Sequence, residues 1–318
     1  TIISIDSLHK YRGLPKTLIL DEFASIASHL AGFVKEKHEV FNCLRELLRR
    51  CERIIILDAN LTDDHVRFIN DLAPGRLVHR VNNSFKPFPN RRVRIAKPNT
   101  KKKAKFIAYV DKQLAKGKRI VVPTNVAGAG EQLYNHLLDK RPDLRVGLVT
   151  KDTDSIPVSE WGRYDVLIYS PTIGAGISFN ELHFHTLVGY FSNRSAGGEY
   201  ISQMLNRSRN LIDETLDLFF DECDFDFPVD PEGLDIAIEE EYKSSHRLQT
   251  KYGLNHNPVV EELAKDEYYH LYRDFLKSEN QSKNDLSGVV RHILEDHGMT
   301  VVADDGFYQQ SKDIIEET

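Results

Sequence analysis

Positions 18–24 read Leu-Ile-Leu-Asp-Glu-Phe-Ala, an apolar run that ends on two adjacent carboxylates, Asp21 and Glu22. At the carboxyl edge of a parallel sheet, where α/β proteins place their chemistry, such a pair can work together, one acid holding a metal while the other polarises a water. A strand that has surfaced and solvated its acids accounts for the same letters. Four further polar groups stand beside short apolar runs. Ser7-Leu8-His9 lies near the start, and Asp58-Ala59-Asn60-Leu61-Thr62 follows the run 53–57. Residues 169–179 read Tyr-Ser-Pro-Thr-Ile-Gly-Ala-Gly-Ile-Ser-Phe, and residues 203–210 read Gln-Met-Leu-Asn-Arg-Ser-Arg-Asn. Each has a structural reading as well. Ser7 and His9 can cap the next element, Asp58 to Thr62 can serve as a helix N-cap, and Gly174 and Gly176 can permit a tight turn. Arg207 and Arg209, two apart on an expected helix, do not share a face.

The elements that must position these groups are legible as alternating runs. Residues 2–5, 17–20 and 53–57 read as strands, short and rich in Ile or Leu. Between the last two, Val40, Phe41, Leu44, Leu47 and Leu48 recur at three- and four-residue spacing, one apolar stripe of a helix. Strand, helix, strand favours a parallel sheet with crossover helices. Residues 84–100, with three prolines, read as a connection carrying a short strand at 92–96. Beyond it the spacing predicts helix over 103–114, strand 119–122, helix 130–138, and strands at 145–148, 166–169 and 186–190. A helix is expected over 201–209. From about residue 211 the chain turns acidic and then polar and helical, with helices expected over 236–250, 258–277 and 287–297. The expected organisation is a partial α/β domain over 1–84, a linker over 85–100, a fuller α/β domain over 101–212 and a mostly helical region over 213–318.

The chain has 318 residues, 41% hydrophobic and 28% charged, with a formal net charge of −6. That is ordinary composition for a globular protein. No apolar run approaches the roughly 18 residues that span a bilayer, so no membrane partner is expected. Cys43, Cys51 and Cys223 form no CxxC pair, which argues against a zinc site or disulfide framework and for an intracellular, reducing setting. Charge is uneven along the chain. From Lys86 to Arg119 there are 13 Lys or Arg and one acid, Asp111, whereas the stretch from Asp213 to Glu241 is strongly acidic. A basic segment of that kind can hold a polyanion. Lys101, Lys102, Lys103 and Lys105, with Arg91, Arg92 and Arg94, are its candidate footprint. A solvated linker and helix start would look the same.

Taken in order, the five groups resemble the motor core of superfamily 2 helicases, in which two RecA-like parallel-sheet domains close on ATP. The SLH stretch, the DEF segment, the DA-x-L turn and the GxSF ending look closest to the viral replication origin-binding helicases. The resemblance covers about residues 1–212. It implies an α/β fold with two RecA-like domains, the first incomplete, and an ATP-dependent helicase or translocase working in replication on single-stranded or forked DNA, with RNA left open and other replication proteins as partners. Asp21-Glu22 matches the Walker B motif, Asp58 to Thr62 the third motif, Thr172 to Ser178 the fifth and Gln203 to Arg209 the sixth. By that resemblance Asp21 holds Mg²⁺, Glu22 orients and deprotonates the attacking water, and Arg207 stabilises transition-state charge as an arginine finger. Gln203 senses nucleotide, while Gly176 and Arg209 help bind it. Ser7, His9, Thr124, Asn125 and Thr172 face the nucleic-acid strand.

Two departures stand against the pattern. Asn206 replaces the glycine of many members, and Asn210 stands where the second arginine is usual, so either Arg207 or Arg209 can be the finger. No GxxxxGK[ST] run, whose amides and lysine would cradle phosphates, occurs in the sequence. In the family that run precedes the SLH segment, so the resemblance leads one to expect a segment of a longer protein that hydrolyses ATP poorly by itself. The alternative is a non-hydrolysing nucleic-acid-binding or scaffold module with a degenerate helicase fold. A metal nuclease built on Asp221, Glu222, Asp224 and Asp226 is a weaker third reading.

Overall fold

A computed structural model describes residues 2–32, 37–59, 61–96, 101–153, 155–171, 178–251 and 265–303. The chain divides into two compact units, one of Thr1–Asn82 with Phe227–Asn280, the other of Asn83–Asp226 with Gln281–Thr318.

The first unit opens with a 3-10 helix, Ile5–Lys10, followed by β1 (Thr17–Asp21), α1 (Phe23–Gly32), α2 (Lys37–Arg50), β2 (Arg53–Leu57) and α3 (Asp63–Leu72). The strand expected over residues 2–5 does not form; the chain there is irregular and then 3-10. Strands β1 and β2 pair in parallel with Asp21 opposite Leu57. Leu18, Leu20, Ile54 and Ile56 alternate onto the helix-covered face, while Ile19, Ile55 and Leu57 point to the other side and are exposed. The expected helix stripe is real: Val40, Phe41, Leu44, Leu47 and Leu48 are all buried. Thr62 caps α3 by accepting from the His65 amide, and the His65 ring accepts the Thr62 amide in return, a capping box closed by histidine instead of glutamate.

In the second unit β3 (Arg92–Ala96), α4 (Lys102–Ala115), β4 (Ile120–Pro123), α5 (Ala127–Lys140), β5 (Val146–Val149), β6 (Val166–Tyr169), β7 (Thr186–Ser192), α6 (Gly198–Leu205) and β8 (Thr215–Asp221) follow in order. After α7 (Pro231–Lys251) and α8 (Glu267–Asn284), α9 (Leu286–Asp296) and β9 (Thr300–Ala303) complete it. All seven strands are parallel, in the order β5-β6-β4-β7-β8-β3-β9. Both faces are covered, which is why β4, β6 and β7 are continuous apolar runs instead of alternating ones. Helices α4 and α5 bury Phe106, Val110, Leu133 and Leu137 on one face; α6 and α9 bury Ile201, Leu205, Val290 and Leu294 on the other. The Gly117-Lys118 pair ends α4: Gly117 sits at φ 76°, its amide bonds the Leu114 carbonyl and the Lys118 amide the Gln113 carbonyl, a Schellman cap.

The fold class is as expected, α/β with parallel sheets and helices toward the carboxyl end. The region from residue 213 is no separate module, however. Strands β8 and β9 belong to the second sheet, and α8 gives Leu271, Tyr268, Tyr272 and Phe275 to the core of the first unit. Strand β8 escaped notice because its run, Thr-Leu-Asp-Leu-Phe-Phe-Asp, is interrupted by Asp217, a carboxylate that composition reads as surface and the fold buries to 1% exposure.

Candidate functional site

Asp21 is the last residue of β1, and Asp58 follows the last residue of β2, so the parallel register brings two acidic positions to one carboxyl edge. The backbone turns between Asp21 and α1 through Glu22, held at φ 54°. A residue with a Cβ adopts that left-handed conformation at a cost of about 1–2 kcal/mol. The Glu22 carbonyl accepts the Ile26 amide, so Glu22 begins the first helical turn. At the same turn the Asp58 carboxylate accepts the Ala24 amide at 2.7 Å, capping α1 with a charge-assisted hydrogen bond. Asp58 thereby ties the turn after β2 to the Asp21-Glu22 corner. Asp21 and Glu22 are both exposed, and neither enters an ion pair among the described residues. Mg²⁺ takes one or two carboxylates and fills the rest of its shell with water and phosphate, so this corner fits it without a larger acidic cluster. Against the corner, the His65 ring lies edge-on to Phe23 at 5.9 Å. Burial pushes the His65 pKa down, opposed by the carboxylates of Asp58, Asp64 and Asp274.

Ser7 and His9 lie half-buried on the 3-10 helix, where the Cys43 thiol donates to the Leu8 carbonyl at 3.3 Å and Arg12 donates to the His9 carbonyl at 2.6 Å. His9 Nδ1 is shielded from solvent and makes no hydrogen bond among the described residues.

In the second unit Thr124 and Asn125 stand at the carboxyl end of β4, where sequence reasoning puts them, and both side chains have structural work. The Asn125 amide donates to the Ser192 carbonyl at 2.9 Å and its oxygen accepts the Ser192 amide at 2.8 Å, locking the β4 end to the β7 end. Thr124 Oγ1 accepts the Val126 amide at 3.1 Å. Thr172 and Gly176 fall outside the described residues. The chain returns at Ser178, and Phe179 forms a parallel bridge with Ser208: the Phe179 amide bonds the Arg207 carbonyl at 2.7 Å, and the Arg209 amide bonds the Phe179 carbonyl at 3.0 Å.

This bridge corrects the helix expected over 201–209. Helix α6 ends at Leu205 with Asn206 as its cap; Arg207 lies in the closing turn, its amide on the Met204 carbonyl at 3.2 Å, and Arg209 lies beyond it on the bridged segment. Gln203 is on the helix, half-exposed, whereas Arg207 is not on that helix face at all. Burial separates the two candidates for the finger: Arg207 is 6% exposed, and Arg209 is open to solvent.

The basic run is not a free patch. Strand β3 lies beside β8 with Arg94 opposite Asp217, and the two bond at 2.6 Å, with Tyr109 donating to the same carboxylate at 2.7 Å. Arg91, fully buried, pairs with Glu214 at 3.1 Å and stacks on Phe88. Lys102 bonds Asp221 at 2.6 Å, which with the Tyr190 hydroxyl and the Arg194 charge holds the Asp221 pKa below the carboxylate range despite burial pulling it up. The basic stretch and part of the acidic stretch therefore neutralise each other inside one unit. Lys105 is buried as well. Lys101, Lys103 and Arg92 are exposed. The acids 221 and 222 that could have begun a nuclease cluster are likewise occupied, Glu222 by the Ser287 amide and hydroxyl. Among the described residues no group of three metal-ligating side chains gathers.

A family model described as origin of replication binding protein matches residues 1–98 and 89–227, more than half of the chain. The chain belongs to that family. Among members and relatives, it is 28% identical over 224 residues to the replication origin-binding protein of Human herpesvirus 6A (strain Uganda-1102), across 69% of this chain and 29% of that protein. It is 26% identical over 301 residues to the putative helicase/primase complex protein of African swine fever virus (isolate Pig/Kenya/KEN-50/1950), across 89% of this chain and 28% of that protein. The chain thus spans less than a third of the length of these relatives. Among solved structures, Saccharomyces cerevisiae Dbp5 bound to RNA and ADP BeF3 superposes with a TM-score of 0.48 at 13% identity, covering 98% of this chain and 66% of that one.

Within this origin-binding family member, sequence reasoning missed the residues that hold the motifs together. The Asp58 cap on α1 had a signal, since an acid just past a parallel strand can reach a neighbouring helix N-terminus. Arg91 had none: its guanidinium donates to the Arg209 carbonyl at 2.7 Å, 118 positions away, which no local pattern announces.

Proposed function

We propose that this chain is the motor region of an ATP-dependent DNA helicase or translocase that works in replication inside the cell. Asp21 and Glu22 of the first unit and Gln203 and Arg207 of the second would share one hydrolytic cycle. The observation that carries the reading is the Asp21-Glu22 corner, where a strained left-handed Glu22 is retained at the carboxyl end of a parallel strand and braced by Asp58. Strain of this kind persists where the surrounding structure enforces it and gathers at functional sites.

In this reading Asp21 would hold Mg²⁺, which would supply neutralisation of phosphate charge. Glu22, turned away from the strand axis by its backbone, orients the attacking water and accepts its proton. Phosphoryl transfer needs mainly positioning and charge neutralisation, and Arg207 supplies the latter as a desolvated guanidinium. Arg209, exposed to solvent two residues on, contributes less to hydrolysis. The strand of nucleic acid is gripped through its phosphates by the Ser7–His9 turn, by Thr172, by backbone groups at Thr124 and Asn125, and by Lys101 and Lys103, while Gly176 helps bind nucleotide.

The test is single-strand-stimulated ATP hydrolysis by the full-length gene product and its Glu22→Gln form. Loss of hydrolysis with nucleotide binding retained supports the motor. Single-strand binding by a wild-type protein that hydrolyses no ATP would replace it with the non-hydrolysing binding module.

A further inference from the structure

A histidine closes the capping box of α3 where glutamate or glutamine is usual. Nδ1 of His65 accepts the Thr62 amide at 3.1 Å and lies 2.9 Å from the Thr62 hydroxyl, so the ring proton belongs on Nε2 and the ring is held in one orientation. Glutamate here would add a fourth carboxylate to a site where Asp58, Asp64 and Asp274 already act on the ring. Glutamine would accept the amide without the charge, but it has no ring to offer. The ring is what reaches the Asp21-Glu22 corner. Half-buried, it stands edge-on to Phe23, with centroids 5.9 Å apart and planes at 75°. Phe23 is fully buried, stacks on Phe68 at 6.4 Å and directly follows Glu22. The left-handed Glu22 is therefore followed by two residues held from outside α1. Two rings of α3 hold Phe23, and the Asp58 carboxylate holds the Ala24 amide at 2.7 Å.

We infer that His65 is a positioning residue for Glu22: its ring edge, aimed by the Thr62 cap, holds Phe23 and with it the left-handed turn. The inference rests on the motor reading for its consequence in hydrolysis. It deepens that reading by naming what keeps the base in place. A residue in a sparsely populated backbone conformation relaxes unless its neighbours enforce it. An edge-on aromatic pair shifts such an equilibrium by about fivefold beyond the area it buries.

The test is His65→Gln in the full-length gene product, which keeps an acceptor for the Thr62 amide and removes the ring. Native-state hydrogen exchange should show the Ile26 amide, which bonds the Glu22 carbonyl at 3.1 Å, exchanging about fivefold faster. The Val66 amide on the Thr62 carbonyl and the Ala73 amide on the Ile69 carbonyl should keep their wild-type rates. In the same variant kcat for ATP hydrolysis should fall by about the same factor with KM for ATP unchanged, because Glu22 acts on the attacking water. A capping role alone would leave this variant like wild type in both measurements, since glutamine is an ordinary capping-box partner. Unchanged exchange at Ile26 overturns the inference. Equal acceleration at Ile26 and Val66 also overturns it, by assigning His65 to the cap. Faster exchange at Ile26 with full turnover overturns the positioning role. If the wild-type protein hydrolyses no ATP, the motor reading fails, and exchange at Ile26 alone still decides whether His65 holds the corner.

Discussion

Replacing Arg94 by methionine separates a structural account of the basic segment from an electrostatic one. Asp217 is 1% exposed and receives two hydrogen bonds, from Arg94 at 2.6 Å and from Tyr109 at 2.7 Å. Removing one partner of a buried ion pair costs about 3–5 kcal/mol, because the remaining charge is left uncompensated. The Arg94 side chain is itself 36% exposed, so water reaches part of the site and a loss of about 2–3 kcal/mol is expected. Against a domain stability of about 5–15 kcal/mol, that is a large fraction. The double change Arg94→Met with Asp217→Asn should recover more than half of the loss, since the buried charge is then gone and Tyr109 keeps an acceptor. Trp161, the one tryptophan of the chain, is fully buried in the second unit, so its fluorescence during urea denaturation reports on that unit alone. A single variant within about 0.5 kcal/mol of wild type, accompanied by a flatter salt dependence of DNA binding, would refute the reasoning and return Arg94 to the nucleic-acid footprint.

Changing Lys101 and Lys103 together to alanine should lower the slope of log affinity against log salt for single strands by about 0.7 for each phosphate no longer neutralised, whereas Lys102→Ala, which frees Asp221, should lower thermal stability; equal effects in both assays would contradict the division. Asp58→Ala should cost about 1 kcal/mol by uncapping α1, read as a shift in the thermal midpoint, with Asp58→Asn costing less because an acceptor remains. Glu22→Gly should remove hydrolysis and yet raise stability by up to about 1 kcal/mol, since glycine adopts φ 54° without strain; a destabilised variant would show that the corner is unstrained. Burial lowers the pKa of His65, His185 and His297 in the fold. Below about pH 6.5 the unfolded chain therefore takes up protons that the fold refuses, so the urea midpoint should be level above that pH and fall between about pH 6.5 and 5.5. A midpoint that rises on acidification would reverse that sign.

Much of the framework was written in local pattern. Residues 53–57, 92–96 and 166–169 are strands with the expected bounds, and the stripe from Val40 to Leu48 is a buried helix face. These succeed because burial on one or both faces forces a period that neighbouring residues must share. The order of the five polar groups was legible for the same reason: each follows or precedes an element whose period announces it. What composition could not say is which charges meet. Thirteen basic residues looked like a polyanion site because the counter-charges of Arg91, Arg94 and Lys102 lie more than a hundred positions away, on β8 and the turn before it. Only the parallel pairing of β3 with β8 brings Arg94 to Asp217 and Arg91 to Glu214. Chain reversal decided the arginines as well. The expected helix over 201–209 has nothing local to stop it, yet it ends at Leu205, a turn carries the chain through Arg207, and the chain then joins the bridge between Phe179 and Ser208, with Arg207 buried and Arg209 exposed. The sequence by itself determined a parallel α/β protein carrying Asp21, Glu22, Gln203, Arg207 and Arg209. The tertiary structure alone decided which of those side chains are available for function, because availability depends on partners distant in the chain and close in space.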